Sequence, residues 1–226
     1  MTANVVLVHG AYADGSSWAD VIARLQRAGV NATAVQNPLT SLADDVAATR
    51  RVLAMQEGPT VLVGHSWAGT VISECGGDEN VTGLVYVAAR APDAGEDYAA
   101  LAGTYPTAPA GAGVVHGGGF AWLGEAAFLA DFAGDVDPDR ARVLYAVQGR
   151  IADTLFASRT TTAAWRVKPT WYAVSTEDRT IAPELQRFLA QRMNATTVEL
   201  GSSHLSMISH PDDVARLILA AVASAG

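Results

Sequence analysis

Ser66 stands at the centre of Gly64-His65-Ser66-Trp67-Ala68-Gly69, a G-x-S-x-G run that could carry nucleophilic chemistry. A serine on a tight strand-to-helix turn exposes its hydroxyl, and the helix behind it offers free N–H groups and a positive dipole end. Small residues at positions 64, 68 and 69 let the backbones approach closely. A serine N-cap on an ordinary helix is the plainer reading of the same letters; the buried-type strand signal at residues 60–63 favours the nucleophile. A hydroxyl is a weak nucleophile at neutral pH and needs a base, and the base needs an acceptor that fixes its tautomer. His204, in Gly201-Ser202-Ser203-His204, is the candidate base because it follows the last strand signal. Asp178, in the loop after the strand signal at 169–174, is the candidate orienting acid, with Glu177 and Asp93 as alternatives. The oxyanion of a tetrahedral intermediate needs preorganised donors. The N–H of Trp67 is one candidate, and the N–H of Ala11 is the other, with Tyr12 as its alternative.

The other chemistry-bearing residues read as structural. His9 ends the first strand and orders its turn, His65 packs beside Ser66, and His210 precedes Pro211 at a helix start. His116 lies in a Gly-rich stretch, as surface or as pocket lining. Cys75, the only cysteine, follows a helical apolar run as a buried thiol, and a single cysteine allows no disulfide within the chain.

The elements that must position these residues alternate. Short apolar runs at 5–8, 31–35, 60–63, 82–87, 169–174 and 196–200 read as strands. Helical patterns occupy 17–28, 41–55, 67–75, 183–192 and 211–222, with Ser41 as an N-cap ahead of Asp44 and Asp45. Strands without polar alternation are covered on both faces, which predicts a parallel sheet in the α/β class. Loops at the carboxyl ends of such strands face one crevice, which is where Ser66, Asp178 and His204 would meet. Residues 1–91 and 167–226 form this core, and 92–166 read as a helical cap insertion with helices near 124–132, 138–148 and, more weakly, 151–158.

On these residues the chain resembles the α/β-hydrolases of the hydroxynitrile lyase and methylesterase group. The likeness rests on Val8-His9-Gly10-Ala11, Trp18, Gly64-His65-Ser66, Val87-Ala88-Ala89, Pro92-Asp93-Ala94-Gly95-Glu96, the segment Asp178 to Glu184, and Ser203-His204. It implies a six-stranded, mainly parallel sheet flanked by helices, a small helical cap, no cofactor, no metal, and carboxylic ester substrates. Two positions depart from the group. Trp67 follows the serine where relatives carry Leu or Met, which would narrow the acyl side. Leu205 follows the histidine where the lyases carry lysine, which weighs against cyanohydrin cleavage. Tyr12, Trp122 and Leu205 are the candidate substrate contacts; Tyr98, Tyr105, Phe120 and Phe128 could share the lining but read first as cap packing.

The bulk properties agree with such an enzyme. The 226 residues are 50% hydrophobic and 17% charged, enough for a core without staples. A formal net charge of −8 argues against nucleic acid, since phosphate binding needs a basic surface. The N-terminus carries no basic leader and no run reaches membrane-span length, so a cytoplasmic protein with no membrane partner is expected. The expected partner is a small-molecule ester, with a homodimer left open. The expected function is serine esterase; non-hydrolytic, lyase-like chemistry on the same residues and non-catalytic ligand binding are the alternatives.

Overall fold

The computed structural model describes residues 3–224. The chain opens with β1 (Asn4–Val8), whose apolar residues are fully buried. A short turn capped by Asp14 leads into α1 (Ala19–Arg27), then β2 (Asn31–Val35). In α2 (Leu42–Leu53) the Ser41 hydroxyl accepts from the N–H of Asp44 at 3.1 Å, so the expected N-cap forms. There follow β3 (Thr60–His65), α3 (Ala68–Cys75) and β4 (Val81–Val87). The insertion holds α4 (Tyr98–Ala102), β5 (Val114–Gly117), β6 (Phe120–Leu123), α5 (Glu125–Ala127) running into a wider turn at Phe128–Phe132, α6 (Pro138–Val147) and β7 (Ile151–Ala152). The core resumes with β8 (Thr170–Ser175), α7 (Pro183–Arg192), β9 (Thr196–Leu200), α8 (Ser206–Ser209) and α9 (Pro211–Ser224).

The six core strands form one parallel sheet in the order β2-β1-β3-β4-β8-β9, as expected. The chain winds outward from β1 to β2, then returns to the other side of β1 and proceeds through β3, β4, β8 and β9. The reversal falls between β1 and β3, which pair from Asn4 with Thr60 to Val8 with Gly64. At such a switch point the loops leaving two adjacent strands part in opposite directions and open a crevice. His9-Gly10-Ala11 and Ser66 leave the sheet at that place. Among the described residues no helix is long and apolar enough to cross a membrane.

The insertion differs from the helical cap expected. Its helices near 125–132 and 138–147 are present, but β5, β6 and β7 also form a three-stranded antiparallel sheet. Gly117 pairs with Phe120, and the two residues between them, Gly118 and Gly119, have φ of +64° and +82°. Positive φ at both central positions is what a type I′ hairpin needs, and a Gly-Gly pair supplies it. The segment 151–158 is not a helix: it pairs as β7 with β6 and then makes one tight turn at Leu155–Ala157.

Gly69 shows how closely the core elements approach. A Cβ built there would lie 1.8 Å from the carbonyl oxygen of Arg90 and 2.9 Å from the Cβ of Ala89. Helix propensity alone would favour alanine by about 1 kcal/mol, but here backbone meets backbone and neither can yield. Gly69→Ala is expected to destabilise the fold by about 3 kcal/mol or more, read as a lower melting temperature; an unchanged or raised one would contradict this packing.

Candidate active site

Ser66 follows β3 with φ of +54°, a left-handed conformation that costs a non-glycine residue free energy. Three backbone bonds hold it there. Its N–H donates to Val87 O at 3.2 Å, and its carbonyl accepts from Gly69 N at 3.1 Å and Arg90 N at 3.0 Å. Gly10 completes the fit, since a Cβ on it would stand 2.7 Å from Ser66 Cβ. Tyr12 (φ +59°) and Ala88 (φ +43°), on the loops after β1 and β4, are left-handed as well. Three of the five left-handed non-glycine positions among the described residues are thus Ser66 and its neighbouring loops.

His204 and Asp178 come together as expected. His204 Nδ1 donates to Asp178 Oδ2 at 2.7 Å, and both side chains are fully buried. The carboxylate is otherwise saturated. Oδ1 accepts from the N–H groups of Thr180 (2.7 Å) and Ile181 (3.0 Å), and Oδ2 also accepts from Gln186 Nε2 at 2.7 Å. With Nδ1 protonated in the neutral ring, Nε2 carries the lone pair; it is buried and has no hydrogen-bond partner. The alternatives lie elsewhere: Glu177 is exposed, and Asp93 pairs with Arg166.

Two further histidines brace the crevice. His65 Nε2 donates to the carbonyl of His204 at 3.0 Å, and the two rings stand 4.7 Å apart. Beyond packing, His65 therefore ties the serine turn to the histidine loop. His9 Nδ1 donates to Gly10 O at 2.9 Å, while its Nε2 accepts from Asn37 N at 2.9 Å. This orders the loop that carries Ala11, as read from the sequence. Burial pulls both imidazoles below their ordinary pKa: His65 far below, helped by the neighbouring His204, and His9 less, because Gly10 O and Asp14 favour its charged form. Among the described residues the N–H groups of Ala11, Tyr12 and Trp67 have no acceptor in the protein. His116, exposed, bonds Asp153, and His210 sits at the start of α9.

Ser66 opens on a cavity of about 340 Å³, near the lower end of the range for small-molecule sites. Core loops contribute Ala11, Tyr12, Trp67 and Arg90, while small cap residues between Ala102 and Gly111 form much of the opposite wall. Trp67 is anchored by its indole Nε1, which donates to the buried Asp45 Oδ2 at 2.8 Å, so its bulk is a fixed wall. Trp122 does not reach the cavity; its ring lies under Arg150. Leu205 is also absent from the lining and faces a separate void of about 10 Å³ beside Phe128 and Phe132. Both were expected to contact substrate on sequence position alone, and the cap sheet and the packing under His204 turn them away. Of the other aromatics considered from the sequence, Tyr98 lines the cavity, and Tyr105, Phe120 and Phe128 do not. Arg90 and Phe156 do so too, and neither sequence pattern pointed to them. The cavity is therefore not without positive charge, although no lysine follows His204.

A profile of the alpha/beta hydrolase family matches residues 5–217. No functionally curated protein matches the chain. Among solved structures, polyneuridine aldehyde esterase is 18% identical, with 97% of this chain and 99% of that one covered and a TM-score of 0.84. A pyrethroid hydrolase from Sphingobium faniae is 19% identical, with 99% and 98% covered and a TM-score of 0.82. A tomato methylketone synthase I variant complexed with β-ketoheptanoate is 17% identical, with 100% and 99% covered and a TM-score of 0.82. At these identities the likeness is one of fold.

The neutral histidines set a pH dependence. In the folded chain His65 and His9 resist protonation below pH 6.5, where an unfolded chain binds the protons readily. The unfolded state then holds more protons, so stability falls as pH drops through about 6.5, by up to about 1.4 kcal/mol per pH unit per histidine. Unfolding titrations between pH 7.5 and about 5.5 are expected to show this slope, and His65→Gln to flatten it. An imidazole NMR titration of the wild type that found His65 protonating near its ordinary pKa would contradict the assignment.

Proposed function

This chain belongs to the alpha/beta hydrolase family, and we propose that within it the protein is a serine hydrolase of carboxylic esters working through an acyl-enzyme on Ser66. The observation that carries the reading is His204: its Nδ1 is committed to Asp178 while its buried Nε2 has no partner, and its ring lies 4.7 Å from that of His65, the chain neighbour of the strained Ser66 at the cavity. Ser66 Oγ attacks the ester carbonyl as its proton passes to His204 Nε2. Asp178 holds the ring in the required tautomer and stabilises the imidazolium. The oxyanion takes the N–H groups of Trp67 and Ala11, which have no other acceptor. His204 then returns the proton to the leaving alcohol, and water, activated by the same base, releases the acid. The esterase and hydrolase among the similar folds suit this reading.

A second reading, non-hydrolytic chemistry on the same residues, is favoured by one observation. Arg90 puts a cation in the cavity that could stabilise a departing anion. Release of cyanide from mandelonitrile without hydrolysis of any small ester would select it.

Ser66→Ala is expected to abolish ester hydrolysis and covalent labelling by a fluorophosphonate while leaving thermal unfolding little changed. Labelling of the variant at the wild-type rate would overturn the assignment. Asp178→Asn is expected to lower kcat by about 10⁴-fold, the scale of a wrongly protonated base, with Asp93→Asn far milder; the reverse order would move the acid to the loop after β4.

A further inference from the structure

Arg90 has no place in the ester-hydrolysis steps above, and its surroundings are unusual for an arginine. The chain has ten arginines whose guanidinium pairs with a carboxylate. Among the described residues Arg27, Arg51, Arg90 and Arg150 do not, and of these only Arg90 is half-buried; the others are exposed. Its side chain donates no hydrogen bond to the protein. Instead the guanidinium carbon lies 4.4 Å from the ring centre of Tyr98, 4.5 Å from Phe156 and 5.6 Å from Trp67. Aromatic faces stabilise the charge and hold the plane still, but they leave the N–H edge without acceptors. A half-buried cation whose donors have no acceptor in the protein is available to an anion that enters the cavity. Burial indeed pulls the pKa of Arg90 down, against the pull of Tyr98 and Tyr12, although a guanidinium stays charged at neutral pH.

Among the described residues Arg90 is also the only charged side chain lining the cavity of Ser66. The backbone of Arg90 is tied to the serine, since its main-chain N–H donates to Ser66 O. Tyr98, beneath the guanidinium, has a buried hydroxyl with no partner, a second donor beside the first. The rest of the wall is mainly apolar, so one cation in it selects for one negative charge. A dianion such as a phosphate monoester would leave its second charge uncompensated in that wall. A carboxylate matches the planar fork and brings a single charge.

We propose that Arg90 is a specificity-determining residue that binds a carboxylate of the substrate, so that the ester cleaved is a half-ester with a free carboxylate elsewhere in the molecule. Hydrolysis adds one water across the ester bond and yields a carboxylic acid and an alcohol, one of which carries the original carboxylate. This rests on the hydrolase reading for the reaction, but the charge selection is independent of it.

The test compares substrates that differ only in charge. Monomethyl glutarate is set against methyl glutaramate, with the charge on the acyl side, and acetoxybutanoate against acetoxybutanamide, with the charge on the alcohol side. Wild type is expected to prefer the anion in one pair by about 10- to 100-fold in kcat/KM, the worth of hydrogen bonds to a charged group. The preference is expected to vanish in Arg90→Leu and to survive in part in Arg90→Lys. No preference for the anion in either pair would overturn the proposal, and wild type alone decides this should a variant not fold. Calorimetric binding of both glutarate esters to Ser66→Ala separates the two readings. Charge-selective binding that depends on Arg90, with no turnover of any ester by wild type, would sink the hydrolase reading and keep the carboxylate site. Turnover without charge selection would do the opposite.

Discussion

A single residue held in the wrong half of backbone space organises this molecule. Ser66 at φ +54° would relax to ordinary extended or helical geometry if its neighbours allowed it. They do not, because Val87 O, Gly69 N and Arg90 N each hold one side of the turn. Meeting those three bonds at once requires β3 beside β4, α3 starting at Ala68, and the loop after β4 folded back over the helix start. That arrangement in turn requires glycine at 10, 64 and 69, where a Cβ would strike backbone or Ser66 itself. Strain at the serine is thus supported by the whole central sheet, not by the turn alone.

The polar groups behind the serine form a chain with little slack. Asp178 accepts four hydrogen bonds, one of them from His204. The carbonyl of His204 accepts from His65, which neighbours Ser66, and His9 orders the adjoining loop. All three imidazoles are buried, and in each the protonated nitrogen is the one facing a fixed oxygen. Neutral rings at His65 and His9 suit this place. A charged His65 would stand as an unpaired cation within a desolvated cluster, against the ring of His204 4.7 Å away.

Much of this was legible in the letters. The core strands and helices follow from unbroken apolar runs and clear stops, and helix 183–192 and strand 196–200 fall where periodicity puts them. Ser66, His204 and Asp178 were legible because each follows a strand whose carboxyl end must face the crevice. The cap was harder. Its sheet hides in His116-Gly117-Gly118-Gly119-Phe120, where a hairpin signal reads as mere glycine richness until the pairing of Val114 with Leu123 is seen. Sequence also mistook direction. Asp45 reads as a first-turn acid of α2, yet it turns inward to receive the Trp67 indole and the N–H of Leu39. Leu205 adjoins His204 in sequence but points into the other side of the loop.

Arg90 shows why such residues escape a reading by pattern. It sits three residues beyond β4, before a cap of poor periodicity, and an arginine in a loop is ordinarily a solvated one. Its environment is made by residues distant in sequence: Trp67 from the serine turn, Tyr98 from α4 and Phe156 from beyond the cap sheet. The first of these is a wall only because Asp45 anchors it. The character of the cavity therefore depends more on two core positions, 67 and 90, than on the cap, whose wall between Ala102 and Gly111 is made largely of small residues. Both positions are tied to Ser66 by the backbone: Trp67 is its neighbour in the chain, and the main-chain N–H of Arg90 donates to Ser66 O.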